Sequence, residues 1–145
     1  MKHINALESV QRKFTKRLQG LSELPYHQRL QALKLDSLYV RRVRQSLITA
    51  YKIVFGLLSV DRNNFFRLSD PDCKHSTRGH NYKLAVTRAH LDLHKHSFSL
   101  RTVTVWNNLP ESVNFSSLTA VKKSILPLTF DDSYTCNFNQ TNLFA

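Results

Sequence analysis

Apolar residues recur at helical intervals along the first half of the chain. Ile4, Leu7, Val10, Phe14 and Leu18 step by three and four, the spacing that stacks side chains on one face of an α-helix. The pattern predicts an amphipathic helix over 3–18 that packs through this face, with Gly20 as its C-terminal stop and Phe14 central to the packing. Pro25 suits the first position of a second, short helix with Tyr26, Leu30 and Leu33 inward. The most regular stripe comes next: Val40, Val43, Leu47, Tyr51, Val54 and Leu58, widened by Ile48 and Phe55. Asp36 or Ser37 can cap this third helix, and Gly56 can end or bend it.

Beyond the third stripe the pattern loosens. Residues 61–66 fit one further helical turn, and 69–81 read as a loop. Residues 82–86 and 90–94 suit the two strands of a short hairpin. Phe98, Leu100, Val103, Val105 and Trp106 predict a helix over 97–108, against the strand propensity of its Thr-Val-Thr-Val run. Pro110 stops whatever precedes it. Ser117 can cap a last helix through Leu118, Val121, Ile125 and Leu126, closed by Pro127. The fold expected is mainly α: a small helical domain over 1–126 with at most one short β-hairpin, then a disordered tail over 127–145.

Composition changes this picture in one respect, the partner. The 145 residues carry a formal net charge of +11, beyond what solubility requires. The charge is uneven. Residues 1–67 hold 13 Lys/Arg against 4 Asp/Glu, 68–126 hold 8 against 4, and 127–145 hold none against 2. Arg12, Lys13, Lys16 and Arg17 fall opposite the apolar stripe of the first helix, and Arg41, Arg42 and Lys52 lie off the stripe of the third. Such faces suit phosphate backbones, which Lys and Arg bind by releasing counterions. Equally, a basic face can be a solvated face and nothing more. Arg44 falls at the edge of the third stripe, where a charge must snorkel or find a partner.

Two cysteines, Cys73 and Cys136, make no disulfide framework. The first residues lack the apolar core of a signal peptide, and no apolar run nears a membrane span. A nuclear or cytoplasmic protein is expected.

Four strings carry a family resemblance: VQRKFTKRL at 10–18, YHQRLQALKLDSLYVRRVRQSLITAYKI at 26–53, STRGHNYKL at 76–84 and FSLRTVTVWNNLP at 98–110. In this order they resemble the C-terminal region of reverse transcriptases from non-LTR (LINE-like) retrotransposons, over roughly residues 4–126. The resemblance implies a helical, nucleic-acid-associated extension that follows the polymerase palm and thumb. It implies RNA or DNA as partner, and a polymerase body acting in trans. It carries over neither the palm nor the endonuclease domain, so it implies a truncated copy or a segment of a larger protein.

Asp131-Asp132 invites comparison with the metal-binding aspartate pair of such polymerases. However, Thr129 stands at the aromatic position of the family's motif, and the third aspartate has no counterpart; a solvated acidic pair is expected. Cys73, His75 and His80 share one loop and are weak candidates for zinc, since their spacing is not the paired-ligand pattern. The plain alternative is loop histidines that gain charge below about pH 6.5. Arg78-Gly79 is either a phosphate-approaching turn, with Gly79 at positive φ, or simply the entry to the 82–86 strand. Tyr51 and Trp106 could stack on bases, but their spacing favours the core. No catalytic arrangement and no Gly-rich phosphate loop can be argued. The expectation is therefore a non-catalytic chain that binds RNA or DNA backbone through Arg12, Lys13, Lys16, Arg17, Arg41, Arg42, Lys52 and Arg78, without cofactor. The alternatives are a protein-interaction module and a degenerate fragment without activity.

Overall fold

A computed structural model describes residues 2–69, 79–87, 97–130 and 136–138. Its elements are α1 (Lys2–Lys16), α2 (Tyr26–Ala32), α3 (Leu38–Val54), a 3-10 turn (Arg62–Asn64), α4 (Phe98–Asn107), α5 (Leu118–Ile125), β1 (Leu128–Phe130) and β2 (Cys136–Phe138). The protein is mainly helical, as the periodicity predicts. Where one domain over 1–126 is expected, the chain groups into two compact units, residues 1–43 and 44–145.

The first unit departs from its expected packing. α1 forms, but Leu7, Val10 and Phe14 are 61%, 65% and 64% exposed. Among the described side chains of α1 the buried one is Thr15, whose hydroxyl donates to the Arg12 carbonyl at 3.2 Å. Periodicity identifies residues that share a face; it does not say which face turns inward. Here the inward side is polar. α1 stops at Lys16, and Gly20 takes positive φ in the turns that follow instead of ending the helix. Pro25 precedes α2 as its cap residue, and its carbonyl accepts from the Arg29 N–H. α2 then closes with a 6→1 bond from the Leu35 N–H to the Leu30 carbonyl, with Lys34 in the left-handed region at φ 52°.

α3 begins as expected. The Ser37 side chain accepts from the Val40 N–H at 3.3 Å, so Ser37 is the cap. It ends as expected too: Gly56 stands at φ 68°, and the Leu57 N–H donates to the Lys52 carbonyl at 2.7 Å. Val43, Leu47, Ala50, Tyr51, Ile53 and Val54 are buried along it.

In the second unit, α4 overrides the strand propensity of its Thr-Val run because Thr102, Val103, Val105 and Trp106 are all buried. Phe66, Leu84, Leu109, Val113, Phe115, Val121 and Ile125 join them in the core. Ser117 caps α5, accepting from the Ala120 N–H at 3.1 Å. Arg44 resolves the conflict expected at its position: its guanidinium donates to the Leu126 and Leu128 carbonyls at 2.5 and 3.2 Å, answering acceptors at the exit of α5.

One short hairpin is present among the described residues, at a different place from the one expected. β1 pairs antiparallel with β2 in the register Leu128↔Phe138, Thr129↔Asn137, Phe130↔Cys136, so strands stand inside the stretch expected as a disordered tail. Leu128 and Phe130 are buried, which pulls this segment into the core despite its lack of flanking helix signals. The 82–86 stretch bridges instead to Leu68, through Leu84. Residues 90–94, its expected partner, lie outside the described residues, as do 131–135 and 139–145. Among the described residues no helix is long and apolar enough to cross a membrane.

Candidate nucleic-acid interface

The basic residues of the first unit stand on two helices. On α1, Arg12, Lys13 and Lys16 are exposed, and Arg17 follows directly, exposed as well. At the start of α3, Arg41 and Arg42 are exposed. These six belong to one unit. Lys52 is half-buried and belongs to the other unit, and Arg78 lies outside the described residues. The expected separation of charge from apolar stripe is only partly met. At about 100° per residue, Lys13 lies about 60° from Val10, on the edge of the exposed stripe and not opposite it.

What orients this surface is a polar network that sequence inspection missed. Glu8 accepts from the Tyr26 hydroxyl through one oxygen at 2.5 Å and from the Leu38 N–H through the other at 3.1 Å. The second bond satisfies a free donor at the start of α3. Burial and the Glu8 carboxylate push the Tyr26 phenol up to about 12. Arg12 and Arg29 both lie over the Tyr26 ring, at 5.0 and 5.6 Å from its centre. Arg29 is 4% exposed and donates to the Arg12 carbonyl at 3.4 Å. Gln11 ties α1 to the turn before α3 by donating to the Asp36 carbonyl at 3.0 Å. One signal pointed to Arg29: at helical spacing it falls between Tyr26 and Leu33 on the inward stripe of α2. Thus Arg12 is partly committed to Tyr26, whereas Lys13, Lys16, Arg17, Arg41 and Arg42 present their charge to solvent.

In the second unit the two residue blocks around 80 and 106 serve each other. The His80 Nε2–H donates to the Trp106 carbonyl at 2.8 Å, and its Nδ1 accepts from the Tyr82 N–H at 3.2 Å. The Trp106 indole N–H donates to the Tyr82 carbonyl at 2.7 Å. The Asn107 amide pairs both ways with the Leu84 backbone, accepting at 2.9 Å and donating at 2.8 Å, as a neighbouring strand would. The Lys83 ammonium donates to the Asn107 carbonyl and fills the space that a side chain at Gly79 would need. Gly79 does take positive φ, at 121°, but toward this internal lysine.

His80 is therefore not a zinc ligand, since both ring nitrogens are engaged. It is buried against Trp106 and Phe115, and that burial pulls its pKa below the usual 6.5. It is a neutral core histidine, not a loop histidine that charges near pH 6.5. Cys73 and His75, the other two candidates, lie outside the described residues, as does Asp131-Asp132. Among the described residues no group of three potential ligands is gathered for a metal. Tyr51 and Trp106 are core residues: Trp106 is fully buried, and the Tyr51 hydroxyl donates to the Phe115 carbonyl at 3.1 Å. Neither face is offered to a base. No family model, curated protein or solved structure matches the chain.

Proposed function

We propose that this chain binds RNA or DNA backbone without sequence preference, as the C-terminal region of a non-LTR retrotransposon reverse transcriptase, and that it catalyses nothing on its own. The observation that carries the reading is the charge of the first unit. Residues 1–43 hold 9 Lys/Arg against 3 Asp/Glu, and Lys13, Lys16, Arg17, Arg41 and Arg42 are exposed. One of the three acids, Glu8, spends its carboxylate on the Tyr26 hydroxyl and the Leu38 N–H. Phosphates bound by such residues are held by counterion release, which is insensitive to base identity. The nucleus or cytoplasm is where such a partner is met.

The test is a salt titration with mixed-sequence single-stranded RNA and duplex DNA, read by fluorescence anisotropy. Log affinity should fall linearly with log salt, losing about 0.7 per single-strand phosphate contacted. No binding at low salt sinks the proposal. Primer extension on the same preparation should give no incorporation; template-dependent synthesis would overturn the non-catalytic part.

A further inference from the structure

α1 turns an apolar stripe to the outside. Leu7, Val10 and Phe14 span two turns of the helix, and each is more than 60% exposed. The other side of the helix is taken: Glu8 holds Tyr26 and Leu38, Gln11 holds the Asp36 carbonyl, and Thr15 is buried. The stripe is thus left over after the unit has closed on itself. One border is cationic: Lys13 lies beside Val10, about 60° around the axis, and the exposed Arg17 follows directly after the helix. The one acid of α1, Glu8, points into the network with Tyr26.

This combination selects its occupant. A second copy would set Lys13 and Arg17 against a surface of the same sign, which costs association. A partner with an apolar ridge and an acidic border would satisfy both features. The stripe is straight and about two turns long, which matches the ridge of a helix packed alongside. We infer that the outward face of α1, formed by Leu7, Val10, Phe14 and Lys13 with Arg17 just beyond its end, docks an amphipathic helix of another protein whose apolar stripe is edged by Asp or Glu.

The experiment uses the full chain and a fluorescent synthetic helix with Leu at every third and fourth position and Glu along both flanks. No nucleic acid is present, so the outcome stands apart from that of the RNA titration. Saturable binding is expected. It should weaken about tenfold or more in the V10S/F14S variant, in line with losing apolar anchors at the centre of an interface. The K13E/R17E variant should lose the Glu-flanked helix and gain a matching helix flanked by Lys, a swap that unfolding could not produce. The four positions are exposed, and the helical circular dichroism of both variants should be unchanged. Three outcomes would overturn the inference. One is equal affinity for Glu- and Lys-flanked helices. Another is binding confined to phosphatidylcholine–phosphatidylserine vesicles. The third is a self-association that Phe14→Ser abolishes.

Discussion

The two units hold themselves together by different means. In residues 44–145 the interior is apolar and aromatic: Leu47, Phe66, Leu84, Trp106, Ile125 and Leu128 are each at most 2% exposed, and Phe115 lies 4.8 to 5.4 Å from the rings of His80, Tyr82 and Trp106. In residues 1–43 the buried groups among the described residues are Thr15, Arg29 and, at the boundary, Val43. There the helices are joined by hydrogen bonds to Glu8 and by cations over Tyr26, while Leu7, Val10 and Phe14 of α1 face outward. The contrast teaches that amphipathicity and burial are separable. A helix can carry an apolar stripe and still be seated through its polar side, when that side meets defined partners and the stripe is left for something else.

The largest test of the contrast sets one residue of each unit against the other. Trp106→Ala should cost roughly 3–5 kcal/mol in urea unfolding followed by circular dichroism, since it empties a filled core and orphans the Tyr82 carbonyl. Phe14→Asp, in the exposed stripe, should shift stability by no more than about 0.5 kcal/mol. Cooperative unfolding by Phe14→Asp would mean that the first unit has an apolar core after all.

Charge reversal comes next in size. Lys13→Glu, Lys16→Glu and Arg17→Glu together should lower RNA affinity at low salt on the order of a hundredfold and flatten the salt slope. Arg12 is best left in place because it also sits over Tyr26. Lys122→Glu with Lys123→Glu, two exposed positions on α5, should do less. Equal losses from both sets would reduce the binding surface to net charge alone.

The two units also differ in how pH reaches them. His80 has its pKa lowered by burial, so the fold prefers its neutral form. Above about pH 6.5 neither state is protonated there and nothing is lost. As pH falls below that value the unfolded chain takes up the proton first, and stability drops until the folded value is reached. Tyr26 is the mirror case, held protonated up to about 12. Its contribution is whole below about pH 10 and is lost as pH rises from there toward about 12. Urea midpoints measured from pH 8 to 5 should fall less steeply in His80→Gln, and those from pH 9 to 12 should fall less steeply in Tyr26→Phe. Unaltered slopes would remove these residues as the cause.

The smallest effect expected is a gain. Lys34 occupies the left-handed position that closes α2, where Gly56 does the same for α3. Lys34→Gly should stabilise the chain by about 1 kcal/mol, by relieving the clash of a Cβ at positive φ.

Much of the fold was legible because it is local. Ser37, Ser117 and Gly56 cap or close helices through bonds to residues a few positions away, and their types announce it. What was not legible depends on contacts between distant residues. The hairpin of β1 and β2 relies on Leu128 and Phe130 finding a core, and local composition suggested a tail. Of the candidate interface, the identities of Lys13, Lys16, Arg17, Arg41 and Arg42 could be read from the sequence, but not which face of α1 turns outward, nor the Glu8–Tyr26 network. His80 drew attention as a metal candidate by residue type, whereas its partners are Trp106 and Tyr82, beyond the reach of spacing arguments.

The pairing of Asn107 with the Leu84 backbone has a consequence for chain continuity. With Trp106 bonded to Tyr82 and Lys83 to Asn107, the stretch 80–84 is fastened to the end of α4 by five side-chain bonds, His80 included. Covalent linkage through residues 88–96 is then only one of the ties between these segments. Each of the two segments thus supplies both donors and acceptors to the other, and their pairing depends on side chains from both sides and not on chain connectivity alone.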